Sequence, residues 1–294
     1  MALPNTTYRM KLRTGQQPKT TFNIPLNKGK NDVLLAGPWI GEFGWELFVW
    51  QAYIRNIAPK YKKVIVSSRK GHEFLYEDFC TEFIPIDVPK NALSNSWFCD
   101  GISTDFTEKF AAGIKFDTRI PAKNIGFLYH GDGHATIKEG FYQQNFIKYQ
   151  SDSLDKSFDI LIHPRNKDLG HDRNWNQEKW QKLVDLLSKK YSIGTIGSHE
   201  AFNLNDSEDC RNISIRDTVS LMNRTKLVVG QSSGPMHLAS LSGTPHLVWS
   251  TEHNRRRYFE YWNPFNTPVY FYPEMGWNPT PEFIYEKIIE NIES

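Results

Sequence analysis

The sequence predicts an α/β fold of two domains, each on a parallel sheet, with the carboxyl edges of the sheets facing a cleft. Three observations predict it. Short apolar runs alternate with segments of helical periodicity along most of the chain, the pattern of parallel strands joined by crossover helices. The stretch from Lys226 to Ser250, KLVVGQSSGPMHLASLSGTPHLVWS, contains one such unit almost complete. The 294 residues also suffice for two cores, and the strand–helix series restarts after a polar region near residue 155.

In that stretch Leu227, Val228 and Val229 form a buried strand stopped at Gly230. Ser232, Ser233 and Gly234 suit a helix cap, and Pro235 suits a first helical turn, where its missing N–H costs nothing. The helix ends at Gly243, and a second strand runs from His246 to Trp249. A strand turning through Ser and Gly into a helix aims free N–H groups and the positive end of the helix dipole at one spot, which suits a phosphate. The plain alternative is a strand–helix joint with no ligand.

Composition bounds the function. The chain is 39% hydrophobic and 23% charged, as in ordinary globular domains. No apolar run nears the roughly 20 residues that span a bilayer, and the start lacks the apolar core of a signal peptide. The expected location is cytoplasmic, with a membrane surface as a peripheral site. Cys80, Cys99 and Cys210 have no metal-ligand spacing and read as free thiols. Residues 1–30 hold Arg9, Lys11, Arg13, Lys19, Lys28 and Lys30 but no acid, so a basic leader precedes a net acidic body although the whole carries +2.

The expected divisions are this leader, an acceptor-side domain over 31–155 and a nucleotide-binding domain over 156–294. Val33–Ala36 reads as the first strand, residues 37–44 as a glycine-bearing loop and Trp45–Ile57 as an amphipathic helix stopped by Pro59. Strands follow at Val64–Val66, Phe83–Val88 and Ile125–Tyr129, with helices at Gly71–Phe79 and near Phe106–Ala112 and a helix-like polar region at Thr136–Asp155. The second series comprises strands at Phe158–His163 and Ile193–Ile196, helices at Asn176–Tyr191 and Thr218–Asn223, the organising stretch and a closing helix at Pro281–Ile292.

Within residues 158–250 four segments carry a resemblance: Ile162-His163-Pro164-Arg165 with Arg173-Asn174-Trp175 and Trp180; Gly197-Ser198-His199-Glu200; Ile213 to Val229; and Gly230-Gln231-Ser232-Ser233-Gly234-Pro235-Met236-His237-Leu238-Ala239. They resemble the donor-binding domain of bacterial heptosyltransferases and related glycosyltransferases of family 9. The resemblance implies two Rossmann-like domains of the GT-B type and transfer of a sugar from a nucleotide sugar, as co-substrate, to an acceptor hydroxyl. One departure is Ser232, where the family usually has an aspartate. Any service that carboxylate gives the donor sugar must come from elsewhere.

Such chemistry needs charge stabilisation on a departing phosphate and a base for the acceptor hydroxyl. For the first the sequence offers Ser232, Ser233 and Gly234 at the helix start, with Arg165 and Arg173 in one loop beyond a strand. The resemblance adds His237 as a phosphate donor, although the residue by itself also reads as a packed core histidine, and Gly197, Ser198 and Glu200 as nucleotide contacts, with Glu200 on the ribose or else a solvated loop acid. For the base the candidates are Glu42, which best matches the family's acidic residue in the first loop, then Glu46, then Asp132. Glu46 is also explained as an acid in a first helical turn. Trp45, His130, Asp132 and Arg255 are assigned to the acceptor side. Lys60, Lys62, Lys63, Arg69, Lys70 and Arg255 to Arg257 suggest an anionic acceptor, as a glycan, a lipid-linked sugar or modified DNA, the saccharides ranking ahead because no nucleic-acid motif accompanies the charge. No Asp-x-Asp is present, and His130, Asp132 and His134 lack a fourth ligand, so an inverting, metal-independent transfer without cofactor is expected. The alternatives are a nucleotide-sugar epimerase or hydrolase of the same fold, and a non-catalytic glycan or nucleotide binder.

Overall fold

The structure, a computed structural model, describes residues 32–87, 104–122, 144–168 and 170–293. Its strands form two wholly parallel sheets. The N-terminal sheet contains β1 (Val33–Ala36), β2 (Lys63–Arg69), β3 (Glu82–Ile86) and β4 (Thr118–Ile120), in the order β3-β2-β1-β4. The C-terminal sheet contains β5 (Ile160–His163), β6 (Ile193–Gly197), β7 (Glu208–Arg211), β8 (Leu227–Gln231), β9 (His246–Trp249) and β10 (Val269–Tyr272), in the order β10-β9-β8-β5-β6-β7. In each sheet the order reverses at the strand that enters first: β1 lies between β2 and β4, and β5 between β8 and β6. Loops leaving the carboxyl ends of β1 and β5 therefore open at the switch points, where ligands of parallel sheets bind.

The helices cover the sheets. A first helix, α1, runs from Phe43 to Ile57 in three segments: α-helical Phe43–Trp45, a π turn at Glu46–Trp50 and α-helical Gln51–Ile57. The others are α2 (Thr104–Ala112), α3 (Gln177–Leu187), α4 (Ile215–Asn223), α5 (Gly234–Ser242) and α6 (Pro281–Ile292). Side chains of Asn176, Ser214 and Thr280 accept from N–H groups in the first turns of α3, α4 and α6, and Pro281 opens α6. Ser233 and Gly243, the latter left-handed at φ 76, bound α5 as the sequence implies.

Strand β8 is buried on both faces, which explains its unbroken apolar run. Val228 faces a core shared with α1 and α5, whereas Val229 joins a second core built on Trp175, Trp180 and Trp249 with α3 and α6. The three indoles meet at centroid distances of 4.6 to 5.4 Å.

Three departures from the sequence reading have local causes. Gly71–Phe79 holds only a short 3-10 turn at Glu73–Leu75, with Phe74, Leu75 and Tyr76 all buried and Arg55 of α1 donating to Leu75 O at 3.0 Å. Residues 144–155 form no helix, since their backbone bonds elsewhere: Asn145 N–H donates to Ala52 O on α1 (3.0 Å) and Tyr149 N–H to Leu241 O on α5 (2.9 Å). Strands β4 and β7 were hidden because charged residues break their apolar pattern, whereas β10, Val-Tyr-Phe-Tyr, is a run of strand-forming residues that the sequence reading left inside a loop. The strand expected at Ile125–Tyr129 and the leader 1–30 lie outside the described residues. Among the described residues no helix is long and apolar enough to cross a membrane.

Three buried histidines make stability depend on pH. Burial pushes His163 and His246 down to about 4, and burial together with the Arg257 charge pushes His237 well below 6.5. Each folded pKa lies below its unfolded value, so the unfolded chain binds more protons between pH 6.5 and about 4. Their contribution is complete above pH 6.5 and is lost on acidification, with a slope of up to about 1.4 kcal/mol per pH unit per histidine. Urea unfolding at pH 7.0 and 5.0 should show a much lower midpoint at the acid pH, and His246→Asn should reduce that difference.

Candidate functional site

The two halves meet where the first turns of α1 and α5 converge. Gly44 and Gly234 permit the approach. A Cβ on Gly234 would lie 2.6 Å from Phe43, and one on Gly44 would lie 3.3 Å from both His237 and Trp262. Around this contact Phe48 stacks on Trp262 at 5.1 Å and 4°, Trp45 meets the same indole edge-on at 5.0 Å, and His237 lies between Trp262 and Tyr258. Glu42, immediately before α1, and Ser233, immediately before α5, are thereby brought to one place.

Opposite Glu42 stands the loop that leaves β5. Arg165 is only 3% exposed and donates to Gly170 O (2.9 Å) and to Asn174 Oδ1. Asn174 also donates to Lys167 O at 2.8 Å, which closes the loop, and Trp175 anchors its far end in the indole core. Burial and then the Arg173 charge push Arg165 down to about 10, while Glu42, Asp172 and Glu200 pull the other way. It remains cationic at neutral pH. Lys167 opens to solvent but is walled by protein, and desolvation lowers it; Glu42 is the carboxylate that most opposes the shift. Arg173 stacks its guanidinium on Trp277 at 5.4 Å. Three cations thus lie in the loop at the switch point of the C-terminal sheet, and the Glu42 charge acts on two of them, Arg165 and Lys167, from the N-terminal side. Glu42 makes no capping bond, so its carboxylate is not consumed by α1.

Beneath the cations lie buried polar atoms with no partner among the described residues: Nε2 of His163, both amide atoms of Gln231, and Oγ of Ser233. His163 and Gly230 are register partners at the ends of β5 and β8, with Gln231 next in sequence, so His163 and Gln231 sit at the same switch point. His163 is neutral, and its Nδ1–H donates to Ile196 O at 3.2 Å, which leaves Nε2 as an acceptor. Buried polar groups without partners are costly, and groups at such an edge are suited to a polar ligand. Ser232 is bound by the Tyr258 hydroxyl at 3.0 Å, and burial keeps that hydroxyl protonated.

Glu46 has a different setting. It is fully buried, accepting from the hydroxyls of Ser68 (2.5 Å) and Tyr76 (2.6 Å), with His72 Nδ1 at 2.7 Å and Arg69 at 3.8 Å. Burial alone would raise its pKa; the His72 charge and hydrogen bond, Arg69 and Ser68 outweigh this and hold it below 4.5. A fully buried carboxylate that already accepts three hydrogen bonds and has a depressed pKa is a poor proton acceptor.

The remaining residues named from sequence fall as follows. Gly197 has φ 137, and a Cβ there would come within 3.0 Å of His163 Nδ1. The exposed Ser198 and Glu200 follow it at the carboxyl end of β6, where the Glu200 charge acts on Arg165 and Lys167. His237 is 2% exposed and packed among Phe48, Tyr258 and Trp262, and its Nδ1 is a further buried atom with no partner among the described residues. Trp45 is likewise buried between the halves rather than open to an acceptor. Arg255 pairs with Glu252 at 2.5 Å and lies over Phe271, and Arg256 pairs with Glu260. Lys62 and Lys63 pair with Asp32 and Glu82, and Arg69 turns inward, so the two basic clusters are largely neutralised. His130 and Asp132 lie outside the described residues. Among the described residues no group of three or more His, Cys, Asp or Glu side chains is placed to hold a metal. Sequence reasoning passed over Lys167; His163, Asn174 and Gln231 were quoted within the motifs but given no role, and Arg69 was read only as part of a basic cluster.

No family model matches the sequence, and no curated protein matches it. Among solved structures, the chain is similar to E. coli heptosyltransferase WaaC with ADP, at 16% identity and a TM-score of 0.51 over 88% of this chain and 99% of that one. It is also similar to E. coli ADP-heptose LPS heptosyltransferase II, at 14% identity and a TM-score of 0.54 over 89% and 98%. A glycosyl transferase family 9 protein from Veillonella parvula DSM 2008 matches at 13% identity and a TM-score of 0.56 over 90% and 98%. These likenesses show the fold: two Rossmann-like domains of the heptosyltransferase-like GT-B type.

Glu46→Gln should destabilise the protein by about 1–3 kcal/mol at pH 7, as expected when a buried, charge-assisted network loses its charge. Because the folded pKa is depressed, the stabilisation is complete above pH 4.5 and is lost as pH falls through the folded value. The gap between parent and variant in urea unfolding should therefore narrow at the acid end.

Proposed function

We propose that this protein is a glycosyltransferase that moves a sugar from a nucleoside diphosphate sugar to an acceptor hydroxyl, by a single inverting displacement that needs no metal. The observation that carries the reading is the contact of the first turns of α1 and α5, which sets Glu42, a carboxylate with no capping bond, beside Ser233 and near enough to the β5 loop for its charge to offset those of Arg165 and Lys167. Arg165, Lys167 and Arg173, with the first turn of α5, bind the diphosphate and neutralise the charge that grows as the glycosidic C–O bond breaks. Glu42 takes the proton of the acceptor hydroxyl, whose oxygen attacks the anomeric carbon from the face opposite the leaving group. Glu200, in the turn after β6, accepts from the ribose hydroxyls in this reading. Asn174 holds the cation loop in shape. Tyr258 and Ser232 supply neutral hydrogen-bonding groups beside the donor sugar, where a related enzyme has a carboxylate. For the acceptor we favour a saccharide hydroxyl, since the basic clusters named from sequence are mostly paired with acids.

ADP, the nucleotide present in the WaaC structure, is the first probe. It should stabilise the protein by about 3 kcal/mol at a hundredfold excess over its Kd, and Arg173→Ala should reduce the thermal shift. Equal shifts in parent and variant would remove Arg173 from the site.

Incubation with a panel of nucleotide sugars, with and without saccharide acceptors, tests the reaction itself. With the pair that turns over, Glu42→Gln should lower kcat by at least about a hundredfold at nearly unchanged donor affinity, and EDTA should leave the initial rate intact. Sugar release that is independent of acceptor would instead indicate a hydrolase.

A further inference from the structure

Arg69 is the last residue of β2, and its guanidinium does not point to the cleft as a free charge. One of its nitrogens, Nη2, donates to two successive carbonyl oxygens, Ile40 O at 2.8 Å and Gly41 O. These belong to the peptide groups immediately before Glu42. The other terminal nitrogen, Nη1, lies 3.8 Å from Glu46 Oε2. Glu46 is in turn tied to β2 by Ser68 and to the following turn by His72 and Tyr76. Ser68 Oγ also lies 3.4 Å from Trp39 O in the same loop.

The loop from β1 to α1 is thus gripped at Trp39, Ile40 and Gly41, and again one helical turn beyond Glu42, by side chains of a single neighbouring strand and the turn after it. Glu42 itself, between these fixed points, has no side-chain capping bond, and its main-chain oxygen accepts from Glu46 N–H at 3.0 Å. Gly41, immediately before Glu42, has more backbone freedom than any other residue type would have there, and an oriented catalytic group needs that freedom removed. Two carbonyls held by one planar guanidinium fix both position and direction, which an ammonium on a flexible stem does not.

From this arrangement we infer that Arg69 is a positioning residue, which, braced by Glu46, aims the Glu42 carboxylate across the cleft. The inference rests on the reading of Glu42 as the base. It also gives the second glutamate of the Glu42/Glu46 pair a function: Glu46 orients the base and takes no proton. Arg69 and Glu46 touch no reacting atom in this scheme, so their effects must pass through Glu42.

Arg69→Lys retains the charge next to Glu46 but loses the grip on both carbonyls, and it is the informative variant. Hydrogen exchange of the Glu46 amide, whose acceptor is the Glu42 carbonyl, should quicken by at least about tenfold, with the thermal midpoint and ADP binding little changed. With the donor and acceptor that the panel identifies, kcat should fall by at least about tenfold while donor KM holds. In the Glu42→Gln background the same change should cost almost nothing further, because a misaimed base that is already absent has nothing left to lose. Unchanged exchange, or losses from Arg69→Lys and Glu42→Gln that multiply independently, would overturn the inference. Quickened exchange together with a Glu42→Gln variant of full activity would leave Arg69 holding the loop and would instead reject Glu42 as the base.

Discussion

The contact between the first turns of α1 and α5 is the constraint on which the remaining geometry depends. Gly44 and Gly234 let the two helices approach to side-chain contact, and the Phe48–Trp262 stack with His237 and Tyr258 fills the space around them. Through it the core of the N-terminal sheet continues into that of the C-terminal sheet as one apolar cluster. Segment 144–150, bonded to α1 on one side and α5 on the other, ties the same two helices from the opposite end. Loops that leave two separate sheets therefore face each other at a set distance, and a carboxylate of one half can act on cations of the other.

That closeness has an electrostatic consequence. Arg165 and Lys167 are both held below their ordinary values, because burial and mutual repulsion disfavour their charge and Glu42, Asp172 and Glu200 offset only part of the cost. A site of this kind gains by receiving an anion, since the ligand restores what desolvation removed. The two glutamates of α1 show how much environment decides. They are one helical turn apart, yet Glu46 is locked by three hydrogen bonds inside the N-terminal half, and Glu42 is left at the mouth of the cleft.

Much of the fold was legible in the chain by itself. The apolar runs of β1, β5, β6, β8 and β9 mark strands buried on both faces, and Ser233 and Gly243 mark the ends of α5, because these are local consequences of burial and backbone conformation. The presence of Arg165, Arg173 and Glu42 just beyond strand ends was equally readable, since a residue after a parallel strand lies at the carboxyl edge by construction. Tertiary structure alone decided which polar residues face the cleft and which are internal. His237 and Trp45 occupy the contact between the halves, a position that no local pattern in the sequence marks. Glu46 and Glu42 likewise differ in sequence only by position. What separates them is Ser68, Arg69, His72 and Tyr76, which lie more than twenty residues away and reach Glu46 only because β2 pairs with β1.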